Sequence, residues 1–282
     1  MARAQLDLNG SRPLPNVEGA VRTEPPLPRR LLAELLGSAF LAATVVGSGI
    51  AAQHLSPGDV GLELFENAAA TAAGLYAFIL MFGPVSGAHF NPVVSFVDAA
   101  SGGMRWRDAL GYALAQVAGC AGGAVAGNLM FSRALVSIST KHRATGPHFL
   151  SEVVATSGLV LVVFTLSRTG RARSAPAAVG AYIGAAYFFT SSTSFANPAI
   201  AVGRMFSNSF AGIAPASVPL FVGAEVLGGT LALGALNLLY PERARLGPSA
   251  EARPAAQGSV VDARGMPALD GAGMPIPSGE VP

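Results

Sequence analysis

Charge is scarce in this chain. Charged residues make up 12% of its 282 positions, where an ordinary soluble domain carries about a quarter. The few charges gather at the two ends and in short connecting stretches. A water-exposed globular surface is hard to build from such a composition, and no basic patch marks a nucleic-acid interface. Cysteine is scarcer still. The single Cys120 excludes an intramolecular disulfide and any thiolate cluster, and inside an apolar stretch it reads as a small packed residue. No spacing of His, Cys, Asp or Glu fits a metal, and no nucleophile stands beside a base. The expectation is therefore a protein that is not an enzyme and needs no cofactor. Residues 1–28 are polar, contain prolines and lack the apolar core of a secretory signal. Residues 241–282 are rich in Pro, Gly and Ala without helical period, and both ends read as disordered tails.

Long apolar runs are what the chain does have. Hydrophobic residues reach 51%, with a mean hydropathy of +0.48. Six stretches approach the ~20 residues that span a bilayer: Leu31–Ala52, Leu62–Phe82, Ala109–Phe131, Phe149–Leu166, Ala175–Ser191 and Val218–Leu239. The fifth is short. Several are rich in Gly and Ala with scattered polar residues, as in helices that pack on one another. Basic residues set the orientation. With the N-terminus in the cytoplasm, the inner side receives Arg29, Arg30, Arg105, Arg107, Arg168, Arg171, Arg173, Arg243 and Arg245. The outer side receives Arg133, Lys141, Arg143 and Arg204. The excess places both termini in the cytoplasm of a multi-pass protein of the cell membrane.

The chain also repeats itself. LLAELLGSAFL at Leu31–Leu41 resembles FLSEVVATSGL at Phe149–Leu159, each with one acid, Glu34 and Glu152. Asn91-Pro92 matches Asn197-Pro198. ALAQVAGCAGG at Ala113–Gly123 resembles VGAEVLGGTLA at Val222–Ala232, pairing Gln116 with Glu225. Each half, about 29–131 and 147–240, reads as span, span, Asn-Pro segment, span. An odd number of spans turns the second half upside down relative to the first, and such repeats share a site near the midplane.

The segments after the two Asn-Pro pairs, Pro92–Ala100 and Pro198–Ser207, are too short to cross a membrane. A helix entering from each side and stopping halfway fits both. Irregular backbone at that depth must be buried in protein or line a watery cavity. Asparagine is a favoured N-cap and proline a favoured first helical residue. The cap uses the amide oxygen and leaves the NH2 to donate. Two caps meeting head to head, with the positive helix ends behind them, would welcome a neutral hydroxyl compound and repel cations.

SGAHFNPVVS and Asn197-Pro198-Ala199, with Glu34, Glu152, Gln116 and Glu225, resemble the signatures of the aquaporin, or major intrinsic protein, family over about residues 29–240. The resemblance implies an all-α membrane fold, a right-handed bundle of six helices plus two re-entrant half-helices. It further implies a homotetramer in the lipid bilayer with one pore per subunit. Val93 stands where the first motif usually has alanine. Glu34 and Glu152 resemble the family's buried acids that hold the re-entrant loops; a membrane-buried acid also qualifies as a proton relay. His89 resembles the loop histidine, with the carbonyls of Gly87, Ala88 and His89 lining the inner half of the pore.

Four family positions set selectivity on the outer side. Here they fall on Thr71, Ser194, Ile200 and, by ungapped count, Ala185; a shift of two residues makes the last Tyr187. The family's water channels carry an arginine where this chain has Ile200, and the loss of that fixed cation suits neutral solutes bulkier than water. Arg204 lies one turn further on the same face, projecting toward the outer mouth or, as an interfacial arginine, touching headgroups or a neighbouring loop. The run NPAIAVGRMFSNSFAGI resembles channels encoded beside bacterial arsenic-resistance genes, which pass undissociated arsenite. The expected function is passive conduction of small neutral solutes, including metalloid hydroxides, glycerol-like polyols and water. The alternatives are a mainly water-selective channel, a proton-coupled transporter and a scaffold with a closed pore.

Overall fold

The computed structural model describes residues 25–241, and within them the regular structure is helical. In chain order the helices are α1 (Leu27–Leu55), α2 (Val60–Ser86), α3 (Pro92–Ala100), α4 (Trp106–Met130), α5 (Gly146–Arg168), α6 (Ala175–Phe189), α7 (Pro198–Arg204) and α8 (Val218–Leu239). Most of both tails lies outside the described residues. Leu27 and Pro28, assigned above to the N-terminal tail, instead open α1, where proline is suited to the first turn.

Helices α1, α2, α4, α5 and α8 are long and apolar enough to cross a membrane. α6 is shorter, with 15 residues, or about 22 Å of rise. It stops at Phe189, and Thr190 turns its hydroxyl back onto the Ala186 carbonyl at 2.7 Å. α3 has 9 residues and α7 has 7, so the two rise roughly 13 Å and 10 Å. Neither crosses alone. The order long, long, short, long of α1–α4 thus returns in α5–α8 with a shorter second helix. Large apolar side chains such as Leu32, Phe40, Leu114 and Leu231 are exposed on the outward faces, a surface that suits lipid or neighbouring subunits rather than water.

Small residues set the helix spacing. Gly119, Gly123 and Gly127 recur every fourth position, on one face of α4. A Cβ on Gly119 or Gly123 would drive into the Leu35 or Ala39 carbonyl of α1. Without side chains there, α1 and α4 pack backbone against backbone, and Gly228 of α8 does the same against Val153 of α5. Cys120 is fully buried beside this seam, its thiol 3.6 Å from the Ser38 carbonyl.

Candidate functional site: two capped half-helices around a cavity

Asn91 and Asn197 cap α3 and α7. The Asn91 amide oxygen accepts the Val93 N–H at 2.9 Å, and that of Asn197 accepts the N–H groups of Ala199 and Ile200 at 3.0 and 3.3 Å. Pro92 and Pro198 follow as the first helical residues, where a missing N–H costs nothing. The NH2 groups are engaged differently from the expectation that both simply face a solute. Asn91 donates to the Ala196 carbonyl at 2.6 Å, and Asn197 donates to the Phe90 carbonyl at 2.7 Å. Each cap thus fastens the residue just before the other cap. Buried carbonyls require donors, and these have no helix to supply them. One N–H of each amide remains for the cavity.

The loops before the caps match residue by residue. Ala88 and Phe90 have φ of 52° and 50°, and Ser194 and Ala196 have 48° and 47°. These are the third and first positions before each asparagine. Left-handed backbone costs a non-glycine residue about 1–2 kcal/mol, so the surroundings must hold it. Glu34 accepts the His89 and Phe90 N–H groups at 3.0 and 2.7 Å; Glu152 accepts those of Phe195 and Ala196 at 3.0 and 2.7 Å.

The supports behind the two acids differ. Ser86 and Gln116 also donate to Glu34, at 2.6 and 2.8 Å. At the place of Gln116 the second half has Glu225, which accepts the Asn197 N–H at 3.0 Å. The His89 ring sits 3.1 Å from the Ser95 hydroxyl and edges the Tyr112 ring.

A cavity of about 100 Å³ lies among these elements, several times the ~10–15 Å³ that one water needs. Its lining includes Gly87, Ala88 and His89 of the first loop, the two adjacent caps Asn91 and Asn197, an apolar wall of Leu75, Ile79, Val179 and Ile183, and a polar corner of Thr71, Tyr187, Ser194 and Arg204 beside Ile200. Val93 does not line it. Its side chain packs toward Gly229 of α8, where a Cβ would collide with it, so the valine in the alanine place is matched by a glycine opposite. Pro198 and Ala199 are buried in the start of α7.

The fifth-span position is corrected here. Ala185 is exposed on the outer face of α6, whereas Tyr187 is buried with its hydroxyl 3.1 Å from the Thr71 hydroxyl. Ala175, Val179, Ile183 and Tyr187 form one stripe at four-residue spacing along the cavity. Ala185 stands two residues past Ile183, about 200° around the helix.

Arg204 combines features of both readings: it lines the cavity and it touches a neighbouring loop. It is 2% exposed. Its Nε donates to the Ala211 carbonyl, and the guanidinium carbon lies 3.4 Å from the Phe195 ring centre. Arg143, in the loop before α5, stacks on the same ring at 5.4 Å and donates to the carbonyls of Gly212, Ser192 and Phe210. Lys141 donates to Phe210 as well. Burial holds the Lys141 ammonium below its usual range, and the charges of Arg143 and Arg204 push the same way.

Half-helices capped nose to nose inside a bundle of apolar helices, around a small cavity, define a polytopic membrane channel. The chain belongs to the major intrinsic protein family, whose family model matches residues 22–196. It is 48% identical over 218 residues to the aquaglyceroporin AqpS of Rhizobium meliloti, covering 77% of this chain and 93% of that protein. It is 32% identical over 179 residues to aquaporin NIP1-4 of Oryza sativa, covering 61% of this chain and 64% of the relative. In structure it resembles the aquaglyceroporin of Plasmodium falciparum with a TM-score of 0.59. That match has 17% identity and covers 75% of this chain and 96% of the other; it speaks for the fold.

Proposed function

We propose that the chain is a passive channel for small neutral solutes, with glycerol-like polyols, undissociated metalloid hydroxides such as arsenite, and water as its cargo. One observation carries the reading. The cavity sets two Asn-capped half-helices beside an apolar wall and a polar corner of Thr71, Tyr187 and Ser194. A hydroxyl compound can exchange hydrogen bonds with the amides and hydroxyls while its carbon face slides along leucine, valine and isoleucine. An ion would lose its hydration along that wall without full replacement. The 48% identity to a protein named an aquaglyceroporin supports the same class.

Thr71, Tyr187, Ser194 and Ile200 form the selectivity constriction in this reading. Glu34 and Glu152 hold the loops, and Gly87, Ala88 and His89 line the inner half. The chain works as a homotetramer in the cell membrane with both termini cytoplasmic. Supporting that orientation, Arg143 and Arg204 lie inside the protein, which leaves fewer basic residues on the outer surface. A second reading, a mainly water-conducting pore, is favoured by the Arg204 guanidinium lying in the cavity.

Stopped-flow permeability of proteoliposomes to water, glycerol and arsenite tests both. The expected result is downhill flux of all three, linear in concentration and indifferent to a pH gradient. Water flux alone would select the second reading, and saturable proton-driven uptake would overturn the channel.

The caps give a sharper prediction. Asn197→Asp or Asn91→Asp places a negative charge between the half-helix ends. At an effective dielectric of about 20, a unit charge some 5 Å away contributes roughly 3 kcal/mol. Cation leak in proteoliposomes should then rise at least about tenfold. Unchanged leak in a folded variant would sink the paired-cap account.

A further inference from the structure

We propose that the Arg204 end of the cavity is a binding site for a small planar monoanion, of the carboxylate or nitrate type, which occupies the pore and slows neutral flux. The inference rests on the reading of the cavity as the conducting path.

Arg204 is a buried cation without an ion pair among the described residues. Its Nε is taken by the Ala211 carbonyl, but its two terminal nitrogens have no hydrogen bond to any described residue. Glu152, whose oxygens accept the Phe195 and Ala196 N–H groups, forms no ion pair with it. Burying a charge is costly unless it is paired. Phe195 holds the guanidinium plane at 3.4 Å, and Phe221 in turn packs on that ring at 4.9 Å.

A second observation points to the same ligand. Ser194 is 3% exposed and lines the cavity, and its buried hydroxyl has no hydrogen-bond partner. An orphaned buried hydroxyl costs about 1–3 kcal/mol. A planar anion would take the guanidinium fork on two oxygens and accept from Ser194. Arg143 and Lys141 lend positive potential, and both also donate to backbone carbonyls. Beyond the site the walls are Leu75, Ile79, Val179 and Ile183, so the anion is held rather than passed.

Glycerol flux is measured in proteoliposomes of the full chain in about 100 mM potassium nitrate or potassium chloride, present on both sides. We expect flux about threefold lower in nitrate, as mass action gives for a site two-thirds occupied. Ser194→Ala should weaken the nitrate effect. Arg204→Gln should abolish it, and Arg204→Lys should erase the preference for nitrate over chloride, since an ammonium lacks the planar fork. Arg133→Gln, on an exposed loop, should leave it intact.

Nitrate should also raise the melting temperature of the detergent-solubilised wild type above its value in chloride, and should not do so for Arg204→Gln. Glycerol flux that is equal in the two salts, with no melting shift, overturns the site and leaves the channel reading standing. If the wild type conducts no glycerol even in chloride, the channel reading fails, and the melting shift alone decides the site.

Discussion

Glu34→Ala is expected to abolish conduction and to cost more stability than any other single truncation in the pore. Four donors converge on this carboxylate: the His89 and Phe90 N–H groups, the Ser86 hydroxyl and the Gln116 amide. Side chains can turn elsewhere; the two backbone donors cannot. Leaving them unsatisfied costs about 1–3 kcal/mol each, and the left-handed residues Ala88 and Phe90 lose their restraint as well. The expected loss is about 2–6 kcal/mol from the backbone donors alone.

Glu152→Ala should be milder, because Glu225 stands in the same corner, already accepting the Asn197 N–H. Melting in detergent measures the ranking, and glycerol flux at a temperature where both variants remain folded measures the pore. If Glu34→Ala melts with the wild type and still conducts, the carboxylate does not hold the loop.

Ile200→Arg is the second large effect. Ile200 is buried and lines the cavity, and Arg204 lies one turn along the same face. A new guanidinium at 200 would fill space beside an existing one and add like-charge repulsion at i,i+4. Solutes larger than water should suffer most, because they need both the room and the hydroxyl partners that the arginine would claim. A barrier change of about 1.4 kcal/mol is tenfold in rate. We expect glycerol and arsenite permeability to fall at least about tenfold, with water reduced far less. An unchanged ratio of glycerol to water permeability in a folded variant would remove Ile200 from the proposed selectivity filter.

The bundle was legible because its signals are long and doubled. A set of apolar runs, an Asn-Pro pair and an early acid each occur twice, and together they define the inverted repeat. The choice between Ala185 and Tyr187 stayed open because counting from one motif to another crosses loops of unequal length. A signal was present: Ala175, Val179, Ile183 and Tyr187 share a four-residue stripe that excludes Ala185. The engagement of the cap amides was hidden for a different reason. Asn91 and Ala196 are 105 positions apart, and no local pattern announces a hydrogen bond between two loops. Arg204 was placed on the right face by its spacing from Ile200. Whether it turned inward depended on the Phe195 ring, which belongs to the other side of the turn.

The exchange of hydrogen bonds between the caps also dictates an order of construction. Helices α1 to α4 are synthesised before α5 begins, and at that moment the Phe90 carbonyl has no donor and Asn91 has no acceptor. The first loop must wait, unfinished, until Asn197 and Ala196 arrive from the other side of the membrane. Neither half can complete its own loop, so separately produced halves would each carry an open seam. In this molecule neither loop is complete until the other has been made.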